Sequence, residues 1–365
     1  MRRLLSLLVL PLLLAACGGG GGSAPAFIPE AHAAEPPSAC PVGDATAQLQ
    51  AMIDSAKGQL ELPACVFNVS APILISKPLR LVGAGATVTG TIIRSSADEA
   101  MVLDPAVRVA VAVGGWNQRG YWAGVENLRI EPTVSGGGKH ALVLRVRPGF
   151  FISSWAVDRV HLGDFGEQGL LLENPGGNGD GIFTGSVSRS YIENGIKGTL
   201  IGDSVWFYRN SVTNGPSRFN KAGLVGFDIS LVPGAAETII EQNNITTTGG
   251  CVLIRNGIGI GVLHNWCETA GAPADGQGLI QLNSCEECTV RDNRVQTMGG
   301  ATPYALAFSG GGFSVIESNK LTSGQQGHIA FSNGAHDNLL AGLNRFDNTR
   351  TGKIAGASSG LISTN

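Results

Sequence analysis

Beyond residue 140 the apolar positions fall in short alternating runs, without the three-and-four spacing of an amphipathic helix. One unit recurs. A brief β-type run such as Val262-Leu263-His264 or Val315-Ile316-Glu317 leads into Asn, one further residue and a bulky apolar side chain. Clear copies are Asn210-Ser211-Val212, Asn243-Asn244-Ile245, Asn265-Trp266-Cys267, Asn293-Arg294-Val295, Asn319-Lys320-Leu321 and Asn344-Arg345-Phe346. Arg159-Val160-His161-Leu162 and Ser190-Tyr191-Ile192 are degenerate copies. From Ser190 onward the steps are 20, 33, 22, 28, 26 and 25 residues. A second family of alternating runs keeps step with the first: Ala141–Val146, Gly169–Asn174, Gly198–Asp203, Gly223–Asp228, Cys251–Asn256, Gly278–Asn283, Ala305–Gly310 and His328–Asn333.

One repeat thus reads strand, variable turn, strand, Asn bend, strand, variable loop. No single repeat buries its own apolar face, whereas stacking at about 4.8 Å per rung makes a continuous core. The steps are too short for four-stranded propeller blades, and Leu is too sparse for a leucine-rich repeat. The pattern predicts an all-β fold, a right-handed parallel β-helix over 40–350, with 351–365 as a C-terminal tail or cap. Asn tolerates the left-handed backbone that a sharp bend demands, and stacked copies would share amide hydrogen bonds. Ahead of the repeats, Asp44 stands as N-cap to a helix with Leu49, Met52, Ile53 and Ala56 on one face and Gly58 past its end. Short strands follow at Leu60–Leu62, Val66–Val69, Ile73–Ile75, Leu79–Val82 and Thr91–Arg94. The helix would cover the open apolar end of the solenoid.

Composition sharpens this. Gly reaches 53 residues and charged residues only 15%, which excludes a helical bundle with its Glu- and Lys-rich exposed faces. An apolar share of 43% excludes a disordered chain. A net charge of −3 offers no global basic field, so no nucleic-acid partner is expected.

The first residues read as an export signal. Arg2 and Arg3 precede a nearly unbroken apolar run, Leu4 to Leu14, too short to span a bilayer. Leu14-Ala15-Ala16-Cys17 then looks like a bacterial lipoprotein cleavage box. Residues 1–16 are therefore expected to be removed, Cys17 to carry lipid, and 17–39 to serve as a flexible Gly/Ala/Pro tether. Cleavage there removes Arg2 and Arg3 and takes the net charge from −3 to −5. The protein is expected in the bacterial cell envelope, held to a membrane through that lipid. Six further cysteines suit an exported, disulfide-bonded chain. Cys40 and Cys65 form the natural local pair. Cys251, Cys267, Cys285 and Cys288 leave their pairing open, and no second CxxC supports a zinc site at 285–288.

Gly43-Asp44-Ala45-Thr46-Ala47 with Leu49-Gln50-Ala51-Met52-Ile53, then Gly58 and Leu60-Glu61-Leu62-Pro63-Ala64-Cys65-Val66-Phe67-Asn68-Val69, then Leu79-Arg80-Leu81-Val82-Gly83-Ala84-Gly85, resembles the N-terminal unit of the pectate-lyase-like superfamily. The resemblance covers about 40 to 350 and implies the fold. The superfamily includes polysaccharide lyases, hydrolases related to polygalacturonase, alginate epimerases and tailspike depolymerases, so it does not by itself name the chemistry. Hydrolase-type motifs have only an echo in Gly327-His328-Ile329. The epimerase Asp-Pro-His-Glu box has none, since Asp104-Pro105 is followed by Ala and Val.

In that superfamily the groove runs over one strand column. Mapped onto the Gly-initiated strands, it implies a cluster with Lys197, Lys221, Arg145 and Arg255 as catalytic cations, and Glu173, Asp203 and Asp228 as carboxylates able to hold Ca²⁺, the one cofactor expected. Aligning those strands on neighbouring rungs places Lys197 near Lys221, and Glu173 near Asp203 and Asp228, to within one residue of register. His140, Trp116 and Trp122 are the expected substrate contacts. A β-eliminating enzyme must neutralise a uronate carboxylate, abstract the adjacent C5 proton and protonate the leaving oxygen, roles that cations, Ca²⁺ and a Lys or Arg can fill. Paired carboxylates would equally serve a hydrolase. His161 and His264, beside the bend, read as hydrogen-bonded structural histidines, and the long turn Pro175–Gly185 as a groove wall or a plain loop. The expected function is cleavage of an acidic, uronate-containing polysaccharide by β-elimination. The alternatives are a non-catalytic carbohydrate-binding or exopolysaccharide-assembly lipoprotein, and a hydrolase or epimerase on the same scaffold. If Cys17 is the anchor, Cys17→Ser shifts the protein from the membrane pellet to the soluble fraction. A variant that still pellets would place the anchor elsewhere.

Overall fold

The computed structural model describes residues 40–104, 123–147, 151–174, 181–200, 204–218, 223–231, 237–269, 277–297, 302–322, 324–347, 354–356 and 362–363. Cys17, Trp116, Trp122, Asp203 and Lys221 lie outside these, as do the tether and residues 175–180 of the long turn. Among the described residues the chain coils through three parallel sheets. Sheet I has twelve strands, from Gly58–Glu61 to Ile362–Ser363. Sheet II has eleven, from Val66–Val69 to Arg345–Phe346, and sheet III eleven, from Ile73–Ile75 to Ile354–Ala355. Each turn visits I, II and III in order, which is the expected right-handed parallel β-helix. A separate two-stranded pair joins Phe151–Ile152 to Gly181–Ile182.

Period-two alternation decides which face of each strand goes inside. On sheet II the row Phe67, Ile93, Ile130, Leu162, Ile192, Val212, Ile245 and Cys267 points inward and is buried. Sheet I contributes Leu60, Leu81, Val125, Val157, Val187 and Phe207 in the same manner, and sheet III contributes Leu142, Leu170, Ile196 and Phe227. Each such side chain contributes roughly 1.5–3 kcal/mol on burial.

The bend between sheets I and II carries the expected column of asparagines. The amide oxygen of Asn265 accepts from the backbone N–H of Asn243 at 2.9 Å and from its Nδ2 at 3.0 Å. Nδ2 of Asn265 donates in turn to Asn293 Oδ1 at 3.0 Å and to the Ile240 carbonyl at 2.8 Å. The pattern runs unbroken from Asn210 to Asn344, and Ser190 joins it by donating its backbone N–H to Asn210 Oδ1. The left-handed backbone, however, belongs to the residue before each Asn: Arg209, Gln242, His264, Asp292, Ser318 and Leu343 have φ between 54° and 71°. Asn is present for its two-sided amide, which satisfies buried backbone groups at the bend. It is not needed to adopt the strained conformation.

The capping helix spans Thr46–Ser55 and packs Leu49 and Ile53 onto Val66–Val69 and Ile73–Ile75. Ala45, not Asp44, occupies the cap position. Asp44, one residue earlier, accepts from the Thr46 N–H at 3.0 Å and from the Ser70 hydroxyl at 2.6 Å. The Ser70 and Thr46 hydrogen bonds pull its pKa down to about 2. Cys40 pairs with Cys65 as expected, and the open pairings resolve as Cys251–Cys267 and Cys285–Cys288.

Asn265→Ala is expected to lower the unfolding free energy by about 3 kcal/mol, because it strands the buried Asn243 N–H and the Ile240 carbonyl. The exposed neighbour substitution Asn244→Ala should stay within about 0.5 kcal/mol. Denaturant titration of both variants checks this, and equal effects would remove the ladder from its structural role.

Candidate functional site

Sheet III carries the column expected for the groove, and its described charges are paired. Arg145 Nη2 donates to Glu99 Oε1 at 2.7 Å, and its Nε donates to Glu173 Oε2 at 2.5 Å. Glu99 first, and then Glu173, raise the guanidinium pKa against the effect of burial. Asp228 accepts from Arg255 Nη1, while Lys197 Nζ lies 4.0 Å from its other oxygen. The Lys197 side chain is 56% exposed. His140 is buried, 3.7 Å from Glu167, and burial pushes its imidazole below the ordinary pKa.

The register differs from the expected one. Lys197 aligns with Leu171 on one side and Asp228 on the other, while Glu173 aligns with Arg145. Glu173 and Asp228 therefore occupy different outward rows and are not the neighbours expected from the strand openings. The inward row Leu170, Ile196, Phe227 sets the register here, because slipping it by one residue would expose the core face. Among the described residues no three His, Cys, Asp or Glu side chains converge as a metal site requires.

A cleft of about 420 Å³ lies instead beside sheet II, with Arg94, Arg129, Glu131, Asp164, Glu193 and Pro216 in its lining. Two outward rows build it. Arg129, His161 and Tyr191 align across successive rungs. In the other row, Gly163 follows Leu162, whose partners are Ile130 and Ile192, so it stands between Glu131 and Glu193. Glu131 accepts from Arg94 Nε at 2.8 Å and from Arg129 Nε at 2.6 Å. Burial acts to raise the Glu131 pKa, but the two guanidiniums outweigh it and hold the carboxyl below its ordinary value.

Arg129 Nη1 lies 3.1 Å from His161 Nδ1, and His161 Nε2 lies 3.3 Å from Glu193 Oε1. A guanidinium only donates, so Nδ1 accepts and the ring proton sits on Nε2, directed at Glu193. His161 is thus hydrogen-bonded on both nitrogens, as its reading from sequence anticipates. Tyr191 packs edge-on against that ring at 4.8 Å and remains 40% exposed. Burial, followed by the Glu193 charge, raises its phenol pKa.

The two carboxylates of this row are two rungs apart, about 9.6 Å at the backbone. At the row position between them stands Gly163, which carries no side chain. A Cβ at Gly163 would lie 3.2 Å from both Cα and Cβ of Glu131. Asp164, 6% exposed, pins the cleft wall. It accepts from Ser135 Oγ at 2.5 Å, Ser217 N at 2.7 Å and Asn194 Nδ2 at 2.8 Å. These donors outweigh burial and lower its pKa. Gly215 is required beside it, since a Cβ there would stand 2.1 Å from Asp164 Oδ1.

None of Arg94, Arg129, Glu131, Glu193 or Asp164 is singled out by reading the chain linearly. A signal exists: Arg129-Ile130-Glu131 and Tyr191-Ile192-Glu193 share a polar–apolar–acidic pattern on either side of His161-Leu162-Gly163.

No protein-family model matches this sequence, and no curated protein matches it at the sequence level. Solved structures do share the fold. The A-module of the Azotobacter vinelandii mannuronan C-5 epimerase AlgE4 superposes with a TM-score of 0.52 at 11% identity, over 89% of this chain and 95% of that one. A DFA-IIIase from Arthrobacter chlorophenolicus gives 0.55 at 11% identity, over 88% and 97%. Tailspike protein 3 of bacteriophage CBA120 gives 0.54 at 11% identity, over 88% of this chain but 54% of the tailspike. The likeness is one of architecture: this chain is a right-handed parallel β-helix protein.

Asp164→Ala is expected to cost about 3 kcal/mol at neutral pH, since the donors around the buried carboxylate lose their acceptor. The folded pKa is lowered, so this contribution is present above the unfolded value of about 3.9 and is lost as pH falls through the folded one. Denaturation at pH 7 and pH 3 should show a large wild-type-to-variant gap at the higher pH and a smaller one at the lower. A gap independent of pH would remove the ionised carboxylate from this role.

Proposed function

We propose that this chain is an exported, envelope-anchored protein that hydrolyses glycosidic bonds of an acidic polysaccharide in the sheet II cleft. The observation that carries the reading is the placement of Glu131 and Glu193 in one outward row with only Gly163 between them. Inverting glycoside hydrolysis uses two carboxyl groups about 6.5–9.5 Å apart, which leaves room for a water. Glu131, kept ionised by Arg94 and Arg129, takes a proton from the attacking water. Glu193 serves as the general acid, passing a proton to the glycosidic oxygen as the bond to the anomeric carbon breaks. The water oxygen ends on that carbon, and exchange with solvent restores both carboxyl groups. His161 positions Glu193, and the two arginines provide local positive charge toward an acidic sugar. The structural neighbours whose names state a carbohydrate activity, the mannuronan epimerase among them, lend support at the level of scaffold. Three disulfides suit an oxidising compartment, in line with the signal at Arg2–Cys17.

A second reading keeps β-elimination on sheet III, favoured by the exposure of Lys197 and its loose 4.0 Å contact with Asp228. Glu131→Gln and Glu193→Gln are each expected to lower turnover of a polyuronate by at least about 10²-fold, the scale for losing a general acid or base. Lys197→Ala should leave turnover intact, and new reducing ends should appear without absorbance from unsaturated uronate. Loss of activity in Lys197→Ala together with rising uronate absorbance would instead support elimination. Binding without cleavage would support a carbohydrate-binding lipoprotein.

A further inference from the structure

Sheet II continues past the cleft toward the C-terminal end of the solenoid. The row that carries Arg129, His161 and Tyr191 continues through Ser211 and Asn244 to Trp266, Arg294, Lys320 and Arg345. The last four are exposed and lie in direct register on successive strands. Trp266 is 42% exposed, with the Arg294 guanidinium 4.1 Å from its ring centroid.

The charge pattern on this stretch differs from the other two faces. On sheet I, Arg80 pairs with Glu126, Arg189 with Asp158, and His264 sits between Glu241 and Asp292. On sheet III, Arg145 pairs with Glu99 and Glu173, and Arg255 with Asp228. Arg294, Lys320 and Arg345 have no carboxylate at ion-pair distance among the described residues. Like charges directly opposite one another on paired strands are destabilising. Three in a row, in a chain of net charge −3, leave a local excess that an anionic ligand would neutralise.

We propose that this row is an extended subsite for an anionic polysaccharide lying along sheet II. An indole face takes a sugar ring at Trp266, and Arg294, Lys320 and Arg345 pair with acidic groups of successive residues. The proposal deepens the cleft reading, since it gives the polymer a path from Glu131 and Glu193 along the axis. The aromatic supplies stacking and the cation over it a charge-assisted contact, as in other grooves that follow a charged polymer.

The test measures binding by titration calorimetry with the full chain carrying Glu131→Gln, so that no ligand is consumed. The probes are polygalacturonate, dextran sulfate and uncharged dextran. At least one polyanion is expected to bind more tightly than dextran and to weaken with added salt. Trp266→Ala should weaken it about tenfold. Lys320→Ala and Arg345→Ala should each weaken it about threefold, and the pair together about tenfold. Circular dichroism and sedimentation of the variants separate this from a structural role. Lys320 and Arg345 also lie near the end of the sheets, where charges discourage edge-to-edge association. Variants that associate while keeping wild-type affinity would overturn the proposal, as would equal binding of dextran and both polyanions, or affinity indifferent to all three substitutions. If Glu193→Gln leaves turnover intact while these substitutions weaken binding, the hydrolytic reading fails and the subsite stands.

Discussion

The structure depends on how one buried bend satisfies its backbone. Between sheets I and II the chain turns sharply at every rung, and the N–H groups there point at the next rung with no strand to receive them. From Asn210 to Asn344 a column of asparagine amides receives them, each oxygen taking two donors from one neighbour and each nitrogen serving the next rung and a sheet I carbonyl. Leaving such groups unpaired in a low-dielectric interior would cost more than any surface contact in the molecule gains. The ladder thereby ties each of these rungs to the next at the bend. The outward row from Trp266 to Arg345 lies on the rungs this ladder ties together, and the cleft lies on the rungs ahead of it.

The three faces then differ through charge. On sheets I and III several described charges find opposite partners on adjacent rungs, as Arg80 does in Glu126 and Arg145 in Glu99 and Glu173, and such exposed pairs contribute little individually. What they achieve is local neutrality. Sheet II departs from it twice. At the cleft, Arg94 and Arg129 converge on Glu131, while Glu193 has the His161 imidazole at 3.3 Å, so two carboxyls in one row have unlike surroundings. Farther along, Arg294, Lys320 and Arg345 stack with no carboxylate at ion-pair distance among the described residues. Unlike surroundings for paired carboxyl groups are the usual condition for dividing acid from base.

The cleft also needs a wall, and Asp164 provides its anchor. It gathers the hydroxyl of Ser135, the Asn194 amide and the backbone of Ser217 onto one carboxylate. Residues about fifty positions apart thus meet at one point. A loop tied in this manner presents a fixed surface, which is what positioning a rigid polymer requires.

The periodic unit, read along the chain, determined the architecture. Alternation and the Asn spacing are local properties, and stacking is the one way for such short strands to bury their apolar side. The strands Val66–Val69, Ile73–Ile75, Leu79–Val82 and Gly278–Asn283 stand where the alternation puts them, and Cys40 pairs with Cys65 because so little chain separates them. Register was decided only by the tertiary structure. Strand openings rich in Gly suggested that Glu173 and Asp228 would align, but rungs align by their inward side chains, and Leu170, Ile196 and Phe227 put those carboxylates in different rows. The same cause hid the cleft. Arg94, Glu131 and Glu193 are separated by 37 and 62 residues, through loops of uneven length, and nothing local says they share a row. Their meeting is a consequence of the coil: residues become neighbours when the core fixes one turn upon the next.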